Sequence, residues 1–350
     1  MERNVPFYCY RLPDTKEVVM GVQNSPLVSP FDGFAKNSNK KGFLIAPFAV
    51  SEKNPPLFIR EDFCMTENSR SETLERWLHS VRFEAENSET PEYVQTHEEY
   101  LKEVSDLIQI LRAGGELSKI VYSRVIAMEN LSGGGLNMFQ SLAGKYSDVF
   151  VYCFHIPGRA VWMGATPELF LQVQPSIVKT TALAGTRKIT DKEAWGNKEY
   201  VEHEYVNRFI RSVLDRCSLT DRTESKVEQV NAGECAHLKT DFLIRADLSG
   251  SEIDRLIGML HPTPAVCGYP QRDAMNEILR REQHDRQFYS GFLGPVSATA
   301  QISLFVNLRC MKAGKERIEL FVGGGITKDS TPQDEWEETV LKARTVSVLV

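Results

Sequence analysis

Apolar and polar positions alternate along much of the chain with the short period that predicts β-strands. The clearest strand runs from Lys119 to Met128, because β-branched residues fill many of its positions. Further strand patterns cover 149–156, 160–164, 169–173, 177–182, 226–230, 237–246, 300–311 and 317–322. In residues 1–92 the apolar runs are short and separated by polar turns, so we interpret that part as irregular strands.

Helical periodicity becomes clear after residue 95. Thr96 is a typical helix cap, and Val104, Leu107 and Leu111 follow at the spacing of one helix face. Further helices are predicted at 192–217, 251–260, 272–281 and 332–346. The polar stretch 86–92 is interpreted as a connection.

Strands and helices follow one another without the strict alternation of a doubly wound parallel sheet. This order favours an α+β fold or a mixed sandwich. No repeat of fixed period is visible, and no linker rich in Pro, Gly and Ser interrupts residues 93–350. We therefore predict one structural domain, in which variable N-terminal strands (1–92) pack on the same core as the region 93–350.

The composition is that of an ordinary soluble globular protein. Of 350 residues, 42% are hydrophobic and 25% are charged, and the formal net charge is -6. Because nucleic-acid-binding proteins usually carry a basic excess, we expect no nucleic-acid partner. No apolar stretch approaches the roughly 20 residues that span a bilayer, and the N-terminus does not look like a signal peptide. We expect a cytoplasmic protein without membrane contact.

The seven cysteines are widely and irregularly spaced, without a C-x-x-C pair. Disulfide frameworks and zinc sites have regular, recognisable spacings. An odd number of scattered cysteines, several within apolar runs, indicates buried thiols in a reducing compartment. The cysteines therefore predict neither a metal site nor a disulfide scaffold.

Two predicted helices each present two glutamates three positions apart. Glu199 and Glu202 lie in the first helix, and Glu335 and Glu338 lie in the second. Residues at this spacing are neighbours on a helix face. If the two pairs face one another, a divalent cation such as Mg²⁺ would relieve the repulsion between their carboxylates. A solvated helix face explains either pair taken alone.

Other charged residues stand in apolar surroundings. Lys119 opens a strand, where a lysine either acts as a base after losing its proton or extends to the strand edge. Glu168 follows a strand pattern, and a carboxylic acid held by a turn can be a general acid or a surface residue. Arg309 is alone in an apolar run, and a buried arginine needs an anion. His237, isolated at a strand start, is more often structural.

A glycine run, Gly323 to Gly325, ends the last strand pattern shortly before the second glutamate helix. Glycines let the backbone come close to an anion, and exposed backbone N–H groups can then bind that anion. The spacing matches neither a dinucleotide-binding motif nor a phosphate-binding loop. A tight turn is the alternative interpretation of this segment.

Eight short motifs follow one another along the chain. They are KIVYSR from Lys119, GATPEL from Gly164, LAGTR from Leu183, KEYVEH from Lys198, HPTPAV from His261, FYSG from Phe288, GGGIT from Gly323, and EWEET from Glu335 with Lys342 and Ala343. In this order they resemble the chorismate-utilising enzymes, which include isochorismate, salicylate, anthranilate and aminodeoxychorismate synthases. The resemblance covers roughly residues 95–350, and it departs from the family where Gly-Gly-Gly replaces the usual Gly-Ala-Gly.

The resemblance implies a fold like that of anthranilate synthase component I, with large mixed or antiparallel β-sheets sandwiched by outer helices. It implies Mg²⁺ as the cofactor, with Glu202 and Glu338 as direct ligands and Glu199 and Glu335 acting through metal-bound water. In the implied reaction Lys119, with a depressed pKa, activates water at ring C2. The acid Glu168 then protonates the hydroxyl that leaves from C4.

The resemblance also implies the contacts of chorismate, a dianion. Arg309, Lys342, Tyr289 and the backbone around Gly323 and Gly325 would hold its carboxylates. The ring pocket would be formed by Gly185, Thr186, His237 and Ala265. We expect a monomer whose partner is this small molecule.

Three residues distinguish members of this family. Lys119 stands where ammonia-using members carry glutamine, which favours water as the nucleophile. Ala184 stands where aminodeoxychorismate synthases place a nucleophilic lysine, and Ala265 is typical of isochorismate synthases. We predict an isochorismate synthase; a salicylate synthase and a chorismate-binding protein without turnover are the alternatives. Whether the product enters menaquinone, siderophore or salicylate synthesis stays open.

Overall fold

The computed structural model describes residues 4–37, 39–66, 91–130, 135–298 and 301–347. The strands in these ranges are β1 (Phe7–Arg11), β2 (Val18–Val22), β3 (Ser29–Pro30), β4 (Gly42–Ala46), β5 (Leu57–Arg60), β6 (Phe63–Thr66), β7 (Lys119–Glu129), β8 (Phe150–His155), β9 (Val161–Thr166), β10 (Leu169–Gln174), β11 (Ile177–Lys188), β12 (Arg222–Glu224), β13 (Glu228–Ala232), β14 (Cys235–Ile244), β15 (Gly268–Tyr269), β16 (Phe292–Val296), β17 (Ile302–Val306), β18 (Cys310–Ala313) and β19 (Arg317–Ile326). The helices are α1 (His97–Arg112), α2 (Gly135–Lys145), α3 (Asn197–Arg216), α4 (Gly250–Leu260), α5 (Gln271–Arg281) and α6 (Pro332–Ser347). Most of the connection predicted at 86–92 lies outside the described residues.

These strands form two large antiparallel sheets. The first has the order β15, β7, β19, β18, β9, β8, β1, β2 and β6. The second has the order β12, β14, β11, β10, β17, β16, β4, β5 and β3, and β13 also pairs with β14. Every pairing between described strands is antiparallel. The predicted α+β fold is confirmed, with antiparallel sheets.

The N-terminal strands belong to the same two sheets. β1 pairs with β8 without a register break from Phe7↔His155 to Arg11↔Val151, and β4 pairs with β16. The strands interpreted in this part are therefore present, but β1 and β4 pair regularly and are not irregular. The pattern of β4 was hard to recognise because all five of its positions are buried, so the alternation that marks a half-exposed strand is missing.

Aromatic side chains fill the space between the sheets. Phe150 of the first sheet stacks on Phe305 of the second, with ring centroids 4.1 Å apart, and Tyr8 stacks on Phe43 at 4.9 Å. On the outer faces, α3 and α4 pack against the second sheet, while α1, α2, α5 and α6 pack against the first. Within the described residues no helix combines the length and the apolarity that membrane crossing requires.

Local chemistry explains where the helices begin. Thr96 and Glu99 form a reciprocal capping box at the start of α1, so the predicted cap is confirmed. Helix α3 begins at Asn197 and not at residue 192, because Gly196 adopts an extended conformation at the N-cap. This correction moves Glu199 into the first helical turn, where a carboxylate interacts favourably with the helix dipole.

Two strand predictions near the C-terminus also need correction. The pattern at 300–311 contains two strands, because residues 307–309 interrupt the strand conformation. Arg309 has a φ of 49°, in the left-handed region. Conversely, β19 continues through the glycine run to Ile326, which pairs with Ile120 of β7. The tight-turn interpretation of Gly323–Gly325 is therefore wrong, since these glycines form the paired end of a ten-residue strand.

Candidate active site

A cavity with a free volume of about 60 Å³ lies between the two sheets, beside α3 and α6. Its walls come from β7, β11, β14 and β19, from α3 and α6, and from the connections after β9, α4, α5 and β17. The residues that were predicted from the sequence and line it are Glu168, Gly185, Thr186, Glu202, His237, Ala265, Tyr289, Arg309, Gly323, Gly325 and Lys342. Eleven of the fifteen predicted site residues thus meet in one place.

The other four predicted residues lie just behind these walls. Lys119 is fully buried, and its ammonium is 3.0 Å from Glu202 Oε1. Glu335 and Glu338 lie on α6 next to Gly324. Glu199 lies on the first turn of α3, and its Cβ is 3.2 Å from the position that a Cβ on Gly185 would take.

The glycine run allows the charged helices to approach β19 closely. A Cβ on Gly325 would lie 2.4 Å from Glu202 Oε1, and a Cβ on Gly324 would lie 2.9 Å from Glu335 Oε2. A real Cβ atom does not approach another heavy atom this closely, so a side chain at either position would displace a glutamate. The alternation of a strand directs these two glycines to opposite sides of β19, and each of them meets a glutamate of a different helix.

Each of three glutamates around the cavity pairs with one lysine. Besides the contact between Lys119 and Glu202, Lys198 Nζ is 2.8 Å from Glu335 Oε1, and Lys342 Nζ is 2.6 Å from Glu338 Oε1. Lys342 also donates to the carbonyl of Gly323 at 2.8 Å. Lysines from three different elements therefore compensate the glutamates of α3 and α6.

The charges of these pairs change the pKa values of the carboxyl groups. Burial would raise the pKa of Glu202, but the nearby Lys119 lowers it below its ordinary value. At Glu335, burial and the neighbouring Glu338 raise the pKa despite the contact with Lys198. Oε2 of Glu335 has no hydrogen-bond partner although it is buried. This buried oxygen can therefore accept a hydrogen bond or contact a cation.

The residues fit a divalent cation in charge and chemistry, although they are not gathered around a single point. Among the described residues, no group of three or more His, Cys, Asp or Glu side chains is arranged to hold a metal ion. Four glutamates are balanced by three lysines and Arg309, so a bound dianion would leave two negative charges uncompensated. A divalent cation supplies that charge, and carboxylate oxygens are ligands that Mg²⁺ prefers.

Glu168 occupies the tight connection between β9 and β10 and is 2% exposed. Burial raises the pKa of Glu168 to about 8, against the opposing influence of Lys119 and Lys342. Its carboxyl is therefore protonated at neutral pH, and Oε1 has no hydrogen-bond partner. A neutral, buried carboxylic acid in a cavity wall can donate a proton to a bound molecule.

Arg309 is a buried guanidinium without a carboxylate partner among the described residues. Its hydrogen bonds go to His237 Nε2 at 3.1 Å, Thr345 Oγ1 at 3.0 Å and Cys235 Sγ at 3.5 Å. His237 Nδ1 lies 2.8 Å from the Gly185 carbonyl, so Nδ1 carries the proton and Nε2 accepts from Arg309. Burial and Arg309 lower the pKa of His237 to about 3, which keeps the ring neutral. The guanidinium charge remains available to an anion.

Sequence patterns missed part of this site. Lys198 was visible in a motif but received no role, although its contact with Glu335 joins α3 to α6. The apolar wall formed by Leu183, Leu308 and Phe321 was missed because apolar residues in strands are ordinarily assigned to the core. Only the convergence of distant strands distinguishes such residues from the rest of the core.

Comparison with known proteins agrees with this arrangement. The sequence matches the family described as "Chorismate binding enzyme" from residue 34 to residue 349. It is 29% identical over 292 residues to the vibriobactin-specific isochorismate synthase of Vibrio cholerae, which aligns 79% of this chain with 72% of that protein. It is 30% identical over 251 residues to the isochorismate synthase EntC of Escherichia coli strain K12, covering 67% of this chain and 63% of EntC.

A solved structure shows the same fold. The menaquinone-specific isochorismate synthase MenF of Escherichia coli superposes with a TM-score of 0.77, covering 98% of this chain and 88% of that chain at 18% identity. The family match begins after β3 and extends to the end of α6, and it includes every residue of the cavity wall. The chain belongs to the family of chorismate-binding enzymes.

Proposed function

We propose that this enzyme converts chorismate into isochorismate by adding water at ring C2 while the hydroxyl at C4 leaves. The observation that carries the proposal is Arg309, a buried guanidinium whose partners are neutral. It faces a cavity whose wall includes the buried carboxylic acid Glu168, and the buried Lys119 lies directly behind that wall. Two relatives of this chain, in Vibrio cholerae and Escherichia coli, are isochorismate synthases, which supports the same reaction here.

The substrate would bind through its two carboxylates. Arg309 and Lys342 are the cations in the cavity wall, and the Tyr289 hydroxyl lies beside Gly323. A free volume of about 60 Å³ is well below that of sites for small organic ligands. The lysine and glutamate side chains that pair at the cavity edge must therefore move apart as the substrate enters.

Two proton transfers are required, and two residues are available for them. In the proposed step Lys119 removes a proton from the attacking water, which forms the new C2–O bond. The ring double bond shifts, and Glu168 donates its proton to the C4 oxygen as that C–O bond breaks. Each such transfer is typically worth about 10²–10⁴-fold in rate. Because the Lys119 ammonium is 3.0 Å from Glu202 Oε1, its action as a base requires that this ion pair opens.

We also propose that Mg²⁺ is the cofactor. Glu202 and Glu338 would hold it directly, and Glu199 and Glu335 would hold it through water. When bound, the ion supplies the positive charge that a dianionic substrate requires in this site. The unpaired Oε2 of Glu335 and the repulsion between Glu335 and Glu338 support this assignment. We further propose a cytoplasmic reaction, since all seven cysteines are free thiols.

The test is to incubate the purified protein with chorismate and Mg²⁺, without ammonia, and to separate the products by liquid chromatography with mass detection. We expect a new peak with the mass of chorismate that is lost after chelation. Lys119→Gln should abolish it, whereas Lys145→Gln, at the exposed end of α2, should not. Salicylate with pyruvate as the products, or an aromatic amine formed only after ammonia is added, would contradict the proposal.

A further inference from the structure

A fully buried ion pair lies directly behind the cavity. Glu282 and Arg286 have side chains that are 3% and 2% exposed. Arg286 Nε donates to Glu282 Oε2 at 2.7 Å, and Arg286 Nη2 donates to Glu282 Oε1 at 2.6 Å. This bidentate geometry fixes the plane of the guanidinium. The pair follows α5 and precedes Tyr289, and neither residue lines the cavity.

The guanidinium also binds the backbone of two cavity walls. Arg286 Nη1 donates to the Val266 carbonyl at 2.9 Å, and Nη2 donates to the Val121 carbonyl at 2.7 Å. Val121 is two residues after Lys119 on β7, and Val266 directly follows Ala265. Both valines line the cavity. One side chain therefore fixes the strand of the proposed base relative to the segment of Ala265.

The same arginine is the anchor of a third wall. The Tyr289 N–H donates to the Arg286 carbonyl at 2.8 Å. Tyr289 lies between Gln287, with a φ of 47°, and Ser290, with a φ of 62°. Left-handed conformations at non-glycine residues persist only where the surrounding structure enforces them. The buried guanidinium packs beside this turn, 5.8 Å from the ring centroid of Tyr289 and 4.2 Å from that of Phe48.

Glu282 connects this network to the middle of β7. Its Oε1 accepts hydrogen bonds from the N–H and the hydroxyl of Ser123, both at 2.8 Å, and His284 Nε2 is 3.0 Å from the same hydroxyl. A serine, a histidine and a glutamate in contact resemble a nucleophilic triad. Ser123, however, is fully buried and does not line the cavity, so this cluster holds β7 in place and does not attack a substrate.

We propose that Glu282 and Arg286 are positioning residues that set the relative placement of Lys119, Ala265 and Tyr289. The inference rests on the isomerisation proposed above. Its physical basis is that a buried ion pair is a poor source of stability, since apolar residues of similar volume often replace it without loss. What apolar residues cannot replace is the simultaneous hold of one side chain on two carbonyls and one carboxylate beside the Tyr289 ring.

Arg286→Lys is the decisive substitution, because it keeps the positive charge but not the planar fork of donors. A lysine can neutralise Glu282, yet its single ammonium cannot bind Glu282 and both carbonyls in the same geometry. A displacement of about 1 Å can cost about 10²-fold in rate. We expect kcat to fall by about that factor, while KM changes less than about tenfold because Arg309 and Lys342 remain. Both constants are measured at a temperature where circular dichroism shows the variant fully folded.

The matched control is Arg281→Lys, at the last position of α5 and five residues before Arg286. Arg281 pairs with Glu277 and with Glu103 of α1, away from the cavity wall, so its variant should keep the wild-type kcat. A double variant, Glu282→Met with Arg286→Met, removes both charges together. We expect it to fold and to show the same low kcat as Arg286→Lys. If the double variant does not fold, the kcat of Arg286→Lys decides.

Wild-type kcat and KM in folded Arg286→Lys would overturn the positioning role while leaving the proposed function intact. The same conclusion would follow if Arg281→Lys lost as much kcat as Arg286→Lys. Absence of isochorismate in the wild-type reaction would instead refute the proposed function itself. The two failures are therefore distinguishable in one set of assays.

Discussion

Replacing Glu168 by glutamine should stabilise the protein at neutral and higher pH while removing activity. Burial raises the pKa of this carboxyl from 4.5 to about 8. Between these two values the folded protein keeps the proton, whereas the unfolded chain releases it. Stability contributed by the protonated acid is therefore fully present below about pH 4.5, and it is lost as pH rises toward 8.

The size of this effect follows from the same two pKa values. Each pH unit in the window changes the free energy of unfolding by about 1.4 kcal/mol. Between pH 5.5 and pH 8 the wild-type protein should lose about 3 kcal/mol that Glu168→Gln does not lose, because the amide does not titrate. The variant should therefore gain about that much on the wild type across this interval.

Urea unfolding at pH 5.5, 7 and 8 measures the difference, and Glu116→Gln, at an exposed position, is the control for a change from glutamate to glutamine. In parallel, kcat/KM of the wild type should decrease about tenfold per pH unit above about 8, as the acid loses its proton. A stability difference that varies by less than about 0.5 kcal/mol between pH 5.5 and pH 8 would refute the raised pKa. It would also remove the argument that Glu168 is the general acid.

Three further substitutions test the charged walls of the site. Gly325→Ala should lose activity and stability, because its Cβ would lie 2.4 Å from a carboxylate oxygen. Its control is Gly144→Ala, which has no atom nearby and should stabilise α2 by about 0.5–1 kcal/mol. Thermal unfolding and kcat are measured for both variants. Arg309→Met should weaken chorismate binding about 10–100-fold in calorimetry, since hydrogen bonds to charged groups contribute about 1.5–3 kcal/mol. Lys198→Met should destabilise the metal-free protein by about 3 kcal/mol, because it leaves Glu335 buried without its partner; Mg²⁺ should restore the melting temperature, and failure to do so would contradict the metal assignment.

The sequence predicted most helices and strands beyond residue 95 because their patterns are local. The Thr96 cap and the strand from Lys119 depend on a few neighbouring residues, and both lie where they were predicted. The strand β16 was missed, since Phe292–Val296 includes a glycine and a proline, which ordinarily mark a turn. Its place between β17 and β4 depends on pairing with distant residues.

The candidate site depends on contacts that no local pattern contains. Lys119 and Glu202 are 83 positions apart and become an ion pair only because β7 and α3 meet beside the same glycines. The order of the motifs indicated the set of residues, but not which lysine compensates which glutamate. The contact between Lys198 and Glu335 could not be predicted, because a lysine at the start of a polar helix is ordinarily exposed to solvent.

The position of the charges suggests why the two glutamate helices need the glycine strand between them. Side chains on Gly324 and Gly325 would push Glu335 and Glu202 outward, into water, where paired charges interact weakly. At their observed positions the carboxylates are largely removed from water, so the repulsion between Glu335 and Glu338 is strong enough to raise a pKa. With the proposed cofactor, this repulsion would favour the binding of a divalent cation near the carboxylates. The glycines would then contribute to that binding through the space that they leave empty.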